Sequence, residues 1–344
     1  MTEYYLGIDL HKRRSYTVLM DREGNLVHQG SRPNDALAAF FAAQVPPSTT
    51  AVLEATFNWP FLYDLASHYV EKVLLAHPLK VKMIAEATVK TDKIDARTLA
   101  HLARTGYLPV AYAAPQAIRE LRQWLRHRAN LVGDRTRHKN RIHAVLVRHN
   151  LTAPVSDLFG VRGRVILQSL LGQGLSPADR HSVEDNLAAI DFLSERLEAL
   201  DGRLRQAIQG DALVALLQTL PGVGLITAVT IRAELGEVER FRDARQAVHW
   251  AGLAPSVRAS AETVHHGSIS REGSSYLREA MVGAALRAVR FSPALRRFHR
   301  RIAKRRGEGM ARVALARKML VIAYSMLRSG QPYREAARQD DRGA

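Results

Sequence analysis

Tyr4-Tyr-Leu-Gly-Ile-Asp9 is an apolar run that ends in a carboxylate, and this pattern predicts a buried β-strand. Two more strands are expected, over Ser15 to Met20 and over Leu26 to Gly30. The polar segment Asp21 to Asn25 between them is typical of a turn. The chain is therefore expected to open with three successive short strands.

Helix and strand patterns alternate after these strands. Asn34 can cap a helix that runs through Ala36 to Gln44, and a second helix is expected from Pro60 to Tyr69. Further strands are expected over Thr50 to Glu54 and over Glu71 to Ala76. This order of elements predicts an α/β domain with a ribonuclease-H-like sheet.

Four carboxylates form a candidate metal site in this domain. Asp9 and Glu54 each end a predicted strand, so their side chains can approach each other across the sheet. Asp92 and Asp95 stand three residues apart in Thr88-Val-Lys-Thr-Asp-Lys-Ile-Asp-Ala-Arg97, and helical spacing places both on one face. Taken singly, Asp92 could instead cap a helix, and Asp9 or Glu54 could be a turn residue at the end of its strand.

Acids that meet at one place require a cation, because like charges repel and buried carboxylates are costly when they bind none. The oxygen ligands suit Mg²⁺ (or Mn²⁺). Two such ions about 4 Å apart would activate an attacking oxygen and stabilise a leaving one in phosphodiester cleavage. The neighbouring lysines are mobile point charges that cannot replace a divalent ion.

The charge balance predicts a polyanionic partner. The 344 residues include 50 Lys and Arg against 33 Asp and Glu, which gives a formal net charge of +17. Arginine suits phosphate because its planar fork bonds two oxygens, so nucleic acid is the expected partner. A GC-rich genome would explain arginine in place of lysine, but not the surplus over acids.

Other classes of protein do not fit the composition. The chain has no cysteine, so disulfide frameworks, thiolate nucleophiles and cysteine zinc sites are not expected. No signal peptide is expected at the N-terminus, and no apolar run approaches the ~18–20 residues of a membrane helix. We expect a cytoplasmic protein without a membrane partner.

A basic helical region is expected over residues 111–212. From Gln116 to Asn150 an apolar stripe lies opposite arginines and histidines; a solvated helix face would look the same, but the unbalanced charge favours binding to a nucleic-acid backbone. A later helix carries an apolar stripe with coiled-coil spacing, formed by Ile190, Leu193, Leu197, Leu200, Leu204 and Ala207. This stripe predicts either a dimer or a helix that packs within the chain.

Residues 213–335 are expected to form a mainly α-helical C-terminal domain. Gly222 and Gly224 lie between two apolar helices and resemble a helix-hairpin-helix turn, whose backbone N–H groups hold phosphate without base preference. A tight helix–helix connection would have the same composition. A turn rich in serine follows and leads into a helix from Tyr276 to Arg290.

Four segments resemble the N-terminal RuvC-like domain of the insertion-sequence family 110 transposases. They are Gly7-Ile-Asp-Leu-His-Lys12, Leu53-Glu-Ala-Thr56, Ala76-His-Pro-Leu-Lys80 and Lys90-Thr-Asp-Lys-Ile-Asp-Ala-Arg97. The segments stand in family order and at family-like spacing. The resemblance implies a RuvC-like domain in residues 1–110 whose acidic set, known as DEDD, is Asp9, Glu54, Asp92 and Asp95.

The C-terminal region is similar to the transposase domain of the same family, through Gly252-Leu-Ala-Pro255 and Ile269-Ser-Arg-Glu-Gly273. One serine of that family is proposed as a nucleophile that becomes covalently joined to DNA, and we align it with Ser260. Ser256, Ser268 and Ser270 compete for this role. A serine hydroxyl is a weak nucleophile unless its proton is removed and the phosphate charge is neutralised.

The resemblance implies a transposase that cleaves and exchanges DNA strands between the ends of an insertion sequence and a target. It implies a homo-oligomer (dimer or tetramer), associated with the bacterial nucleoid when active. It also implies a structured guide RNA that pairs with the DNA while the protein binds backbone. A RuvC-like junction endonuclease would need only the four acids, and a non-catalytic DNA-binding protein would be indifferent to the metal.

The residues expected to bind nucleic acid are basic side chains of the predicted helices and turns, together with the two glycines of the helix-hairpin-helix-like turn. They are Lys90, Lys93, Arg97, Arg119, Arg122, Arg126, Arg137, Lys139, Arg141, Gly222, Gly224, Arg271, Lys304, Arg305 and Arg306.

Overall fold

The structure, a computed structural model, describes residues 3–84, 91–260, 263–270 and 272–335, without the side chains of 257–260, 263–266 and 268. The contacts divide the chain into two compact units, Met1–Ala114 and Pro115–Ala344. The expected boundary between residues 212 and 213, inside the second unit, stays a prediction.

The first unit is an α/β domain. Its elements are β1 (Tyr4–Leu10), β2 (Arg14–Asp21), β3 (Leu26–Pro33), α1 (Leu37–Gln44), β4 (Thr49–Glu54), α2 (Trp59–Ala66), β5 (Lys72–Ala76), α3 (Pro78–Ile84), α4 (Asp92–Arg104) and β6 (Val110–Ala111).

The strands form one mixed sheet in the order β3-β2-β1-β4-β5-β6. Strand β1 is antiparallel to β2 and parallel to β4, and β4 is parallel to β5. Five of the six residues of β4 are buried, as expected for a central strand that is covered on both faces. The ribonuclease-H-like fold predicted from the sequence is confirmed.

Alternation along the strands divides the side chains between two helical layers. Leu6 and Ile8 of β1 join the apolar core that contains Phe41 of α1 and Leu62 of α2. Gly7, between them, points to the opposite face, where an added Cβ would meet the main chain of α4. The carboxyl ends of β1 and β4 therefore carry their alternate side chains toward α4.

Asn34 does not have the predicted role of helix cap. It begins a short 3-10 turn, Asn34–Ala36, and α1 starts after Ala36 without a side-chain cap. The Asn34 amide is engaged in long-range hydrogen bonds instead: it accepts from the Ser15 hydroxyl and donates to the main-chain carbonyl of His11.

The second unit is mainly helical. Its elements are α5 (Gln116–Arg148), α6 (Val161–Leu171), α7 (Pro177–Ala207), α8 (Ala212–Gln218), α9 (Leu225–Leu235), α10 (Ala244–Trp250), β7 (Pro255–Ser260), β8 (Thr263–Ile269), α11 (Ser275–Phe291), α12 (Pro293–Arg306) and α13 (Glu308–Ser329).

The two long helices α5 and α7 pack against each other. Arg128 of α5 pairs with Asp201 of α7 through two hydrogen bonds of 2.6 and 3.1 Å, and Arg148 near the end of α5 reaches Asp179 near the start of α7. These pairs define an antiparallel arrangement. The leucine stripe of α7 is buried inside the unit, with Leu197 5% exposed and Leu204 fully covered. This burial favours the intramolecular interpretation of the coiled-coil spacing.

The serine-rich segment forms a β-hairpin where the sequence predicted a turn. Strand β7 pairs antiparallel with β8, and Ser260 pairs with Thr263 across the hairpin. Ser268 belongs to β8. The sequence places Val257 in β7 and Thr263 and Val264 in β8, and these residues favour strands because β-branched side chains fit a pleated surface.

Gly222 lies in the connection between α8 and α9, with a φ of +82°. An added Cβ would come 2.5 Å from the carbonyl oxygen of Ala284 in α11. Arg287 of α11 donates from Nε to the Gly222 carbonyl at 3.0 Å. The turn is thus packed directly on α11, which by itself accounts for glycine at this position.

Candidate functional site

Strands β1 and β4 bring two of the predicted acids to the same edge. Ile8 pairs with Leu53 in parallel register, and Asp9 and Glu54 are the next residues of their strands. Val52 of β4 packs with Leu99 of α4, so Glu54, two residues later, lies on the same face. Asp9 lies two residues after Gly7 in β1, so it is on the same face as Gly7, which α4 covers. Both acids therefore lie on the side of the sheet that α4 covers.

Helix α4 supplies the other two acids from its first turn. Thr91 is the N-cap, and its hydroxyl accepts a hydrogen bond from the Ile94 N–H at 3.3 Å. Asp92 is therefore the first helical residue, and its alternative interpretation as the cap is wrong. Asp95 follows one turn later on the same face.

The closest grouping of ligand atoms joins Asp9 and Asp92 through a histidine. His11 Nε2 lies 3.0 Å from Asp9 Oδ2 and 3.3 Å from Asp92 Oδ1. One ligand atom from each of Asp9, His11 and Asp92 lies within 4.8 Å of the others. Among the residues that the structure describes, this is the group of three or more possible ligands that meets that limit, and it does not include Glu54 or Asp95.

His11 is the residue that the sequence interpretation missed. It belongs to Gly7-Ile-Asp-Leu-His-Lys12, but the four-acid set predicted from the sequence does not include it. The signal was its position two residues after Asp9, because strand periodicity places residues i and i+2 on one face.

The pKa values of Asp9 and His11 are both shifted by the charges around them. Burial raises the pKa of Asp9, and the charges of Asp92 and Asp95 raise it further against the lowering influence of His11. Burial lowers the pKa of His11, but the charges of Asp9 and Asp92 and hydrogen bonds to both outweigh it, so the pKa of His11 is raised. A site that crowds negative charge in this way favours a cation.

The candidate nucleophile lies on the hairpin. Ser260 is the last residue of β7, and residues 261 and 262 after it lie outside the described part of the chain, as does the Ser260 side chain. Of the competing serines, the Ser268 side chain is likewise outside the description. The Ser270 hydroxyl is buried, and its main-chain N–H donates to the Ala254 carbonyl.

Some of the residues predicted to bind nucleic acid are exposed to solvent, and others contact groups within the protein. Arg122 is engaged: it donates to the carbonyls of Ala233 and Glu234 in the last turn of α9. Lys139 lies over the ring of Phe159. Side chains exposed to solvent are those of Lys93, Arg97, Arg126, Arg137, Arg141, Lys304, Arg305 and Arg306.

Other members of the predicted set are placed differently. Arg119 is half-buried. Among the exposed side chains, Arg126 also lies 3.8 Å from the buried carboxylate of Glu234, and Arg137 pairs with Asp134 on its own helix. Gly224 is the N-cap residue of α9. Lys90 and Arg271 lie outside the described residues.

Both units match models of one protein family. Residues 6–151 match the model of the DEDD transposase of the IS110 type, and residues 214–300 match the model described as Transposase IS116/IS110/IS902 family. The chain belongs to the IS110 family of transposases. Membership implies a DNA substrate, DNA-cleaving or recombining activity, and in general the use of a divalent metal.

Similar proteins match between about three quarters of the chain and nearly all of it. The "Probable family 20 transposase" of Pseudomonas aeruginosa is 27% identical over 350 residues, which cover 96% of this chain and 98% of that protein. The transposase for insertion sequence element IS1111A of Coxiella burnetii is 26% identical over 265 residues, covering 76% and 72%. The pilin gene-inverting protein of Moraxella bovis is 26% identical over 300 residues, covering 82% and 81%.

The resemblance drawn from the sequence is thereby confirmed at the level of family and fold. None of the helices in the described ranges has the length and apolar character needed to cross a membrane.

Proposed function

We propose that this IS110-family transposase cleaves and rejoins DNA strands at the ends of its insertion sequence, with a divalent cation held by the DEDD acids and Ser260 as the nucleophile. The observation that carries the metal part is the meeting of Asp9 and Asp92, from a strand end and a helix start, beside His11. The serine part rests on family resemblance and on the position of Ser260 at the end of β7.

The residues present fit Mg²⁺ or Mn²⁺. Asp9 and Asp92 offer carboxylate oxygens close together, and the repulsion between them is the kind that a cation relieves. Asp95 adds negative charge near Asp9, and Glu54 follows Leu53, which pairs with Ile8 next to Asp9. When bound, the cation would supply positive charge to neutralise the phosphate and polarise its oxygens. The residues that would hold the cation are Asp9, Glu54, Asp92 and Asp95.

The proposed cleavage is a transesterification at phosphorus. The Ser260 hydroxyl loses its proton to solvent water while a bond forms between Oγ and the phosphorus atom. The bond between phosphorus and the leaving strand's oxygen breaks, and that oxygen takes a proton from water. The energy of the phosphodiester is kept in the serine–phosphate link, so the reverse reaction with a different strand end completes an exchange.

Two features support recombination over simple cleavage by a junction endonuclease. The relative from Moraxella bovis is named for inverting the pilin gene, and gene inversion rejoins the strands that it cuts. The match to the family also covers the C-terminal region, residues 214–300, which an enzyme that needs only four acids would not require.

The partners that we propose are element-end and target DNA and a structured guide RNA. Exposed basic side chains such as Arg137, Arg141 and Lys304 can bind the backbone of either nucleic acid without reading its sequence. Because recombination joins two ends, we also propose a homo-oligomer that works on the bacterial nucleoid. Its contacts would use surfaces other than the buried leucine stripe of α7.

The deciding experiment is a search for a covalent protein–DNA adduct. The full chain is incubated with Mg²⁺, guide RNA and element-end duplex, then denatured, and the adducted residue is mapped by mass spectrometry. We expect an adduct at Ser260 that Ser260→Ala and Asp9→Asn both abolish. Cleavage that survives Ser260→Ala without any adduct would identify a RuvC-like nuclease. DNA binding without any cleavage would identify a non-catalytic binding protein.

A further inference from the structure

The segment that carries His11 is held in place by side chains from two other parts of the first unit. Asn34 Nδ2 donates to the His11 carbonyl at 2.9 Å, and Asn58 Nδ2 donates to the same carbonyl at 3.1 Å. The main-chain N–H of His11 also donates to the Arg14 carbonyl. Three hydrogen bonds thus fix the backbone of a residue whose side chain is more than half exposed.

The two amides are themselves oriented. Asn34 Oδ1 accepts from the Ser15 hydroxyl at 2.8 Å, and Asn58 Oδ1 accepts from the Thr56 hydroxyl at 3.2 Å. Asn58 lies in the segment that follows Glu54, so its bond ties the end of β4 to the turn after Asp9. These bonds fix the main chain of His11 and therefore the point from which its imidazole reaches Asp9 and Asp92, and a binding site needs its ligand groups held in this way.

The spacing of the side-chain atoms fits one shared ion. An octahedral ion with bonds of about 2.1 Å has neighbouring ligand atoms about 3.0 Å apart. His11 Nε2 lies 3.0 Å from Asp9 Oδ2 and 3.3 Å from Asp92 Oδ1, close to that separation. The contact with Asp9 is also a hydrogen bond, so a bound cation would take the place of the Nε2 proton, which would pass to solvent.

We propose that His11 is a nitrogen ligand of the divalent cation, alongside Asp9 and Asp92, and that Asn34 and Asn58 are positioning residues that hold it there. This inference rests on the metal site of the proposed function and adds a fifth residue to the four acids. Imidazole nitrogen suits transition metals better than Mg²⁺, which prefers oxygen and retains water. The site is therefore biased toward Mn²⁺ over Mg²⁺.

The test measures Mn²⁺ binding to the full chain without nucleic acid. The electron paramagnetic resonance signal of free Mn²⁺ gives the dissociation constant, and electron spin-echo modulation of bound Mn²⁺ detects a coordinated imidazole nitrogen. We expect nitrogen modulation in the wild type. In His11→Ala it disappears, and the Mn²⁺ dissociation constant rises at least about tenfold, as even loss of an outer-shell partner does. Mg²⁺ affinity, measured by competition, falls less.

The matched control is His68→Ala. His68 is an exposed histidine of the same unit, and its Nδ1 lies 2.6 Å from the Asp64 carbonyl oxygen in its own helical region, away from the four acids in sequence. This variant should leave both the affinity and the modulation unchanged. Asn58→Ala should weaken Mn²⁺ binding while the nitrogen modulation persists, because it removes support and not a ligand. Unchanged binding in Asn58→Ala would remove that residue from the proposal.

A fourth variant separates this inference from the proposed function. Asp9→Asn should abolish Mn²⁺ binding at the site. If Asp9→Asn loses binding while His11→Ala keeps both affinity and modulation, the acids hold the metal and the assignment of His11 is wrong. If Asp9→Asn binds Mn²⁺ as tightly as the wild type, the metal site of the proposed function fails, and His11 with it. His11→Gln serves as a second variant if His11→Ala does not fold.

Discussion

Gly7 of β1 and Ala96 of α4 approach so closely that a Cβ added at Gly7 would lie 1.9 Å from the Ala96 carbonyl oxygen. The obstruction is main chain, which cannot swing aside as a long side chain can. Asp9 is the last residue but one of strand β1, and helix α4 begins with the acid Asp92. The absence of a side chain at Gly7 therefore sets the distance between the two elements that build the candidate site.

Gly7→Ala should push α4 away from the sheet. We expect the free energy of unfolding to fall by about 1–3 kcal/mol, the usual result of overpacking, and Mn²⁺ binding to weaken because Asp92 moves from Asp9. Urea denaturation and the Mn²⁺ titration measure the two effects. Gly30→Ala is the control, because its added Cβ would have only the ends of flexible side chains nearby, Arg32 Nη2 at 3.7 Å and His28 Nε2 at 3.9 Å. Equal behaviour of the two variants would contradict the argument.

Leu197→Ala should destabilise the folded chain without dissociating an oligomer. Leu197 is 5% exposed, and Ser194 and Asp201 beside it on α7 bond to Arg135 and Arg128 of α5. Removal of its side chain should cost about 2–5 kcal/mol. The measurement is urea unfolding at several protein concentrations, where an intramolecular contact gives a midpoint that does not depend on concentration. A midpoint that rises with concentration would point to a dimer seam.

Two arginines of α5 are expected to have different roles, which substitution by alanine distinguishes: Arg122 stabilises the fold, and Arg141 binds nucleic acid. Arg122 bonds to the carbonyls at the end of α9, at 2.9 and 3.2 Å, so its loss should lower the free energy of unfolding by about 1.5–3 kcal/mol. Arg141 is exposed, and its loss should change stability by less than about 0.5 kcal/mol.

Fluorescence anisotropy with a labelled duplex at several salt concentrations tests the second half of this expectation. Arg141→Ala should weaken DNA binding for all sequences and reduce the salt slope by about one. If Arg141→Ala does not change the dependence of DNA affinity on salt concentration, Arg141 does not contact a DNA phosphate.

Asp179 should make the second unit sensitive to acid. Hydrogen bonds from His149 and Ser176, with the charge of Arg148, lower the pKa of Asp179 below its usual 3.8. A carboxylate with a lowered folded-state pKa adds stability that is fully present above the unfolded-state value and is lost as pH falls through the folded-state value. The wild type should therefore be more stable than Asp179→Asn at pH 7, and the difference should shrink below about pH 4.

Urea unfolding from pH 7 down to pH 3 measures this difference. Glu195→Gln is the matched control, because it removes an exposed carboxylate from the same helix. If the difference in free energy of unfolding between the wild type and Asp179→Asn stays constant over this range, the charge of the carboxylate does not contribute to stability.

Several features of the candidate site were predictable because they depend on local periodicity. Strand alternation places Asp9 and Glu54 on one face, and the three-residue spacing of Asp92 and Asp95 holds both on one turn of α4. The role of Arg122 was not predictable in this way. Its partners are carbonyls of Ala233 and Glu234, more than a hundred residues away, and no local pattern distinguishes it from the exposed arginines of the same helix.

The order of strands, the acid positions and the family all follow from the sequence, because side-chain alternation, helical spacing and motif order are properties of neighbouring residues. Only the tertiary structure shows three further features. Helix α4 approaches β1 at Gly7, His11 meets Asp92, and the leucines of α7 are buried inside the chain. Each of these contacts joins residues that are far apart along the chain. Such contacts form only when whole helices and strands pack together, because the packing determines which side chains face each other and which face solvent.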